Sequence, residues 1–304
     1  MIMTVDIGGT KTLCALWDGR ELRGQQKYET SSIDDFPLLL KEQAGKETID
    51  ALCLAMAGPV TNNKLELTNT GQIIDLTQIK KSFAQVPHVV FLNDLEALGH
   101  SISVLREDQR QLFKAGAGQK GAKAVVSIGT GLGVSAVTKE GIVLPSEGGH
   151  MEFAPQDSRQ RRLLSHLETQ YDHVSWERLL SGQGIANLYS FVSGTPTLDP
   201  SVATKKAFAG DPLALETMDL FTQLLGTVCG NFALTFLSSS GLYLGGGIMP
   251  KILPLLKKDL FQEAFCAKGR FQSWLETIPV FVILDEMAPS LGAAAYGEHL
   301  SSGS

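Results

Sequence analysis

The apolar residues of this chain fall into short runs broken by glycine turns, and helical periods become prominent toward the C-terminus. Residues 3–6 and 12–17 read as two strands joined by the turn Ile7-Gly8-Gly9-Thr10. A helix is expected from Ser32, as its cap, to about Gln43, with Asp35 as the capping-box partner. Residues 49–56 read as a buried strand, 75–84 as a short helix capped by Asp75, and 89–92 as a strand running into Asn93-Asp94. Helical spacing follows at 95–105, and the Gly-, Ala- and Lys-rich stretch 114–123 reads as a loop. The opening theme then returns as strand 124–128, turn 129–133 and strand 134–138. Two strand–turn–strand units, with turns beginning at Gly8 and Gly129, hint at two related α/β halves.

The second half is mainly helical. Ala214, Met218, Phe221, Leu225, Val228 and Phe232 recur at intervals of three and four, and their flanks are also apolar, so a long buried helix is expected. A strand at 242–244 meets Gly245-Gly246-Gly247 and opens a helix near Met249. Residues 280–284 read as a strand and 290–300 as an Ala-rich closing helix.

Composition narrows the classes of function. At 304 residues, 43% apolar and 19% charged, the chain is an ordinary globular protein with room for two domains. Its net charge of −6 lacks the basic field that nucleic acid or an anionic membrane would need. The start, MIMTVDIGG, has no basic leader, and no apolar run approaches a membrane span. Cys14, Cys53, Cys229 and Cys266 are isolated, in apolar contexts and without zinc spacing. A cytoplasmic location is expected.

The candidate chemistry sits at the turns. Glycine at a strand end lets backbone N–H groups approach phosphate oxygens with no Cβ in the way. Three such turns occur: Gly8-Gly9-Thr10, the turn holding Gly129, Thr130 and Gly131, and Gly245-Gly246. None is a P-loop. Asp6, before the first turn, could hold Mg²⁺ beside the phosphates or cap the turn, and Lys11 could touch phosphate or be solvated. Asn93-Asp94 could cap the next helix, but a cap needs one residue. The second invites a base that accepts a hydroxyl proton, with an amide beside it. Glu147, His150 and Glu177 suit a neutral polyol, because carboxylates accept from hydroxyls and imidazole donates; Glu177, near a helix start capped by Ser175, could equally stabilise that helix's first turn. A metal centre would need further ligands: no second histidine is near and HExxH is absent.

Taken together, DIGGT (6–10), LNDLEAL (92–98), IGTGLGV (128–134), LPSEGGHMEFAP (144–155), HVSWERLLSGQGIANLY (173–189), YLGGGIMP (243–250) and KGRF (268–271) carry a resemblance. The chain resembles the bacterial-type glucokinases of the hexokinase and actin-like ATPase superfamily, which are related to the repressor–kinase sugar kinases. The resemblance implies an α/β fold of two actin-like (ribonuclease H-like) domains, residues 1–104 plus 288–304 and residues 105–287, with an interdomain active-site cleft. It implies Asp94 as general base. Asn69, Asn93, Asp94, Glu147, His150 and Glu177 would bind D-glucose. Asp6, Gly8, Gly9, Thr10, Lys11, Gly129, Thr130, Gly131, Gly245 and Gly246 would line ATP, with Mg²⁺ near Asp6. It also implies a homodimer. Three departures are visible. Lys11 stands where the family often has Asn. The Cys-rich zinc motif of the repressor–kinase branch is absent, so no structural zinc is expected. Residues 68–72 read TNTGQ, keeping Asn69 but losing a His and a Trp. A kinase for mannose, glucosamine or N-acetylmannosamine, and a non-catalytic sugar sensor, are the alternatives.

Overall fold

Two sheets organise the chain, each in its own unit. The computed structural model describes residues 1–56, 58, 60–66, 71, 73–197 and 199–303. Unit 1 is Met1–Leu105 with Met287–Ser304, and unit 2 is Arg106–Glu286.

Unit 1 holds β1 (Ile2–Ile7), β2 (Lys11–Asp18), β3 (Glu21–Glu29), β4 (Ala51–Met56), the short β5 (Val60–Thr61), β6 (Lys64–Glu66) and β7 (Ile73–Asp75), and β8 (His88–Asn93). Its main sheet has the order β3-β2-β1-β4-β8; β1, β4 and β8 are parallel, and β2 and β3 fold back antiparallel. Strands β5, β6 and β7 form a separate small sheet. On one face Met3, Val5, Ile7, Leu52 and Leu54 share a core with Phe36 and Leu40 of α1 (Phe36–Ala44) and Ile79 of α2 (Leu76–Ser82). Against the other face pack α3 (Asp94–Ser101) and α11 (Ala288–Ser302), where Thr4, Ser290 and the Trp17 indole form a buried hydrogen-bonded group. Cover on both faces explains why β4, ALCLAM, is apolar throughout.

Unit 2 repeats the strand plan. It contains β9 (Arg110–Lys114), β10 (Lys123–Ile128), β11 (Leu132–Val137), β12 (Val143–Ser146), β13 (Gly241–Gly245) and β14 (Val280–Ile283), in the order β12-β11-β10-β13-β14-β9. Strands β10, β13 and β14 are parallel, and β11 and β12 fold back, as β2 and β3 do in unit 1. The helices are α4 (Ser158–Glu168), α5 (Gly182–Ser193), α6 (Pro200–Phe208), α7 (Pro212–Phe236), α8 (Met249–Ile252), α9 (Lys258–Cys266) and α10 (Gln272–Glu276). The 25-residue α7 is the long apolar helix of the sequence, and its six periodic residues are all fully buried. Among the described residues, no helix is long and apolar enough to cross a membrane.

Several local expectations are corrected. Helix α1 starts four residues after Ser32, because Asp35 is its actual cap: the carboxylate accepts from the Leu38 amide at 2.9 Å. Strand β3 is almost wholly exposed, and its lack of an apolar alternation hid it. The stretch 114–123 is not all loop. Lys114 ends β9 with its side chain buried, and its ammonium donates to the carbonyls of Ala115, Leu275, Glu276 and Ile278 at 2.9–3.1 Å. Glu177 lies in a single 3-10 turn at 176–178, which Ser175 precedes without a side-chain cap.

Candidate active site

In unit 1 the site residues gather at one end of the parallel strands. Asp6 and Leu92 both register with Ala55 of β4, so the ends of β1, β4 and β8 lie side by side. Past those ends come the turn at residues 8–10 and Asn93-Asp94. Strand ends at a sheet's carboxyl edge are where α/β proteins place ligands.

Asn93 is the N-cap of α3. Its side-chain oxygen accepts from the Leu95 amide at 2.8 Å, and Glu96 reaches back to the Asn93 amide. The capping role is therefore real, and it occupies the oxygen of Asn93. Asp94 is the first residue of α3, half-buried, and its carboxylate accepts from Leu95 N at 2.9 Å. Burial, and then the charge of Asp94, push the pKa of Asp6 from 3.8 up to about 6, with Lys27 opposing.

The turn at 8–10 is closed by Gly8 N donating to Lys11 O at 3.0 Å. Thr10 and Lys11 are exposed. Thr30, unremarked in the sequence, lies beneath them fully buried. Its hydroxyl donates to Gly8 O at 2.9 Å, its amide donates to Thr10 O at 2.8 Å, and Thr12 shares its hydroxyl. No local signal marks Thr30, since only the β2–β3 pairing brings it there. Asn69 lies outside the described residues, as do Thr68, Thr70 and Gln72.

Unit 2 builds a second group at the equivalent edge. Gly129 N donates to Gly131 O at 2.9 Å, and Gly182 N, at the first residue of α5, donates to Gly129 O at 2.9 Å. Helix α5, capped by Ser181, therefore points its positive end at the turn that holds exposed Thr130. Gly245 ends β13 beside Ser127, and Gly246 takes φ +89° with its Cα pressed on the Ile128 backbone, where no Cβ would fit. The glycine turns at 129–131 and 245–246 are thus neighbours on one rim.

The polyol candidates of unit 2 belong to the same group. Glu177 is half-buried; its carboxylate accepts from Leu132 N at 3.0 Å and rests on Gly131. Glu147 precedes and His150 ends a 3-10 turn at 148–150, both well exposed, with the imidazole 3.9 Å from the carboxylate. Gly149, between them, is packed on the Leu132 carbonyl so closely that a Cβ would overlap it. The segment carrying Glu147 and His150 is also tied to the one carrying Glu177. Phe153 N donates to Val174 O at 2.9 Å, Trp176 N to Met151 O at 3.0 Å, and the His173 ring contacts His150 O at 2.8 Å. Among the described residues no three His, Cys, Asp or Glu side chains group as a metal centre.

Comparison with known proteins gives one consistent result. The family description matching residues 3–300 is Glucokinase. A glucokinase of Tolumonas auensis is 34% identical over 97% of this chain and 96% of its own. A crystal structure of a glucokinase from an Antarctic psychrotroph superimposes with a TM-score of 0.87 at 28% identity, covering 98% of both chains. A ROK family glucokinase of Streptomyces griseus, solved in complex with glucose and AMPPNP, shares the fold at 17% identity, with a TM-score of 0.64 over 98% of this chain and 99% of its own.

Proposed function

Because the chain belongs to the glucokinase family, it is an ATP-dependent kinase of glucose, and we propose that Asp94 takes the proton from the glucose 6-hydroxyl. The observation that carries the proposal is the place of Asp94: the first residue of α3, just past the carboxyl end of β8, half-buried, with its carboxylate fixed by Leu95 N at 2.9 Å.

In the proposed reaction the 6-oxygen attacks the γ-phosphorus in line while its proton passes to Asp94. The bond to the β,γ-bridging oxygen breaks, and ADP leaves. Phosphoryl transfer depends chiefly on positioning and charge stabilisation, so a carboxylate is base enough. Asn93, Glu147, His150 and Glu177 are assigned to the other sugar hydroxyls, with Asn69 kept from the family resemblance. Among the described residues the Nδ2 group of Asn93 makes no hydrogen bond and can donate to a hydroxyl. Gly8, Gly9, Thr10 and Lys11, with Gly129, Thr130 and Gly131, are assigned to the phosphates, and Gly245 and Gly246 to the adenosine. The positive end of α5 supports the Gly129 group.

Mg²⁺ fits beside Asp6, whose carboxyl is an oxygen ligand of the kind Mg²⁺ takes and lies within reach of the charge of Asp94. Bound to the phosphates, it would offset the negative charge that builds up in transfer. We extend the proposal to a homodimer on the family resemblance. A cytoplasmic enzyme at the entry to glycolysis is in keeping with four buried, unpaired cysteines, whose burial pushes the thiol pKa of Cys14 and Cys53 up to about 12.

The test is a coupled assay of ADP release across a panel of hexoses, with ATP, ADP and polyphosphate as donors. Glucose with ATP should give the highest kcat/KM. Faster turnover of mannose, glucosamine or N-acetylmannosamine would reassign the substrate, and tight glucose binding without turnover would mark a sensor.

A further inference from the structure

Glu177 touches both groups of unit 2. One oxygen of its carboxylate, Oε2, accepts from Leu132 N at 3.0 Å, directly after the glycine turn assigned to nucleotide phosphate. The same carboxylate occupies the space a side chain at Gly131 would fill. Its other oxygen makes no hydrogen bond to a described residue. The position is built rather than incidental: Trp176 is buried, Glu152 and Ser175 form a β-bridge, and Leu132 also supports Gly149 between Glu147 and His150.

We infer that Glu177 is a positioning residue for the nucleotide turn as well as a sugar ligand, so that sugar and nucleotide strengthen each other's binding through this one side chain. The inference rests on the proposed glucose reading and adds a coupling to it. A carboxylate held by a single amide can change rotamer. A sugar hydroxyl on the free oxygen fixes it, and with it the Leu132 amide and the direction of the turn's N–H groups. Coupling between two ligands is reciprocal, so a phosphate that orders the turn fixes Glu177 for the sugar.

Gly131→Ala is the cross-test, because it alters a residue of the nucleotide turn and is read on the sugar. The Gly131 backbone lies outside the left-handed region, and the group in the way of a Cβ is the flexible end of Glu177. The fold should therefore survive, which a melting curve verifies. Titration with glucose, without nucleotide, should show binding to Gly131→Ala weakened by about fivefold or more, with no further loss when Gly131→Ala is added to Glu177→Gln. In a second arm, AMPPNP with Mg²⁺ should bind wild type about fivefold or more tighter at saturating glucose than without it. Glu177→Gln, at sugar concentrations that saturate it, should bring that ratio near one. An unchanged glucose Kd in Gly131→Ala, additive losses in the double variant, or an unchanged ratio in Glu177→Gln would overturn the coupling. A flat glucose titration of wild type would instead overturn the glucose reading itself, and the coupling with it.

Discussion

Asp6 and Asp94 stand at the ends of β1 and β8, two strands separated only by β4, and the charge of Asp94 adds to burial in pushing the pKa of Asp6 up to about 6. Strand spacing places their backbones roughly 10 Å apart. The pair sets what each carboxyl can do and leads to the first two predictions.

Asp94→Asn should bind glucose within a few fold of wild type, because an amide still fills the space and pairs with a hydroxyl. Its kcat should fall by about 10²- to 10⁴-fold, the size of a general-base effect. Glucose titration and the coupled assay, run on the same preparation, check both halves. Near-normal turnover would remove Asp94 from the role.

Asp6 destabilises the fold once it is ionised. Unfolded, the carboxyl ionises near 3.8; folded, at about 6. Between those values the folded state holds the extra proton, so this group's contribution to stability falls as pH rises through the window, and the full penalty remains above it. Asp6→Asn should therefore be more stable than wild type at pH 8, on the order of 1–3 kcal/mol, and no more stable at pH 4. Urea unfolding at the two pH values measures this. The same variant should lose turnover with MgATP, a stability gain at the expense of function.

Thr30→Val keeps the shape of a buried side chain and removes the hydroxyl that holds Gly8 O and Thr12. Leaving buried Thr12 and half-buried Gly8 O without that partner should cost about 1–3 kcal/mol. The loosened turn should raise KM for ATP several fold while KM for glucose stays within about twofold. A larger change in the glucose KM would show that Thr30 serves the sugar side instead.

Gly246→Ala forces a side chain into φ +89° and against the Ile128 backbone. A loss on the order of 1–3 kcal/mol is expected, with weaker nucleotide binding. Gly247→Ala, with open space at its Cβ, is the control and should stay within about 0.5 kcal/mol of wild type. Equal effects at the two positions would contradict the packing of Gly246 on Ile128.

The repeated strand–turn–strand theme was legible because short apolar runs ending in Gly-Thr turns are local signals, and the two sheets do repeat one plan. The helical period of α7 was legible for the same reason. Strand β3 was not, because its residues face solvent and only pairing with β2 makes them a strand. Lys114 was not, because a charged residue among glycines gives no hint that three carbonyls from a distant part of the chain, Leu275, Glu276 and Ile278, join that of Ala115 around it.

The sequence by itself determined the chemistry at each turn and strand end: which carboxylates, amides and glycines exist, and that they punctuate two α/β halves. Tertiary structure alone decided which of them meet. The proton preference of Asp6 depends on burial and on a charge 88 positions further along the chain. Glu177 reaches Gly131 only because the 3-10 turn at 176–178 is folded back beside β11. Hydrogen bonds and electrostatic shifts act over a few ångströms of space, and folding brings distances along the chain down to that range.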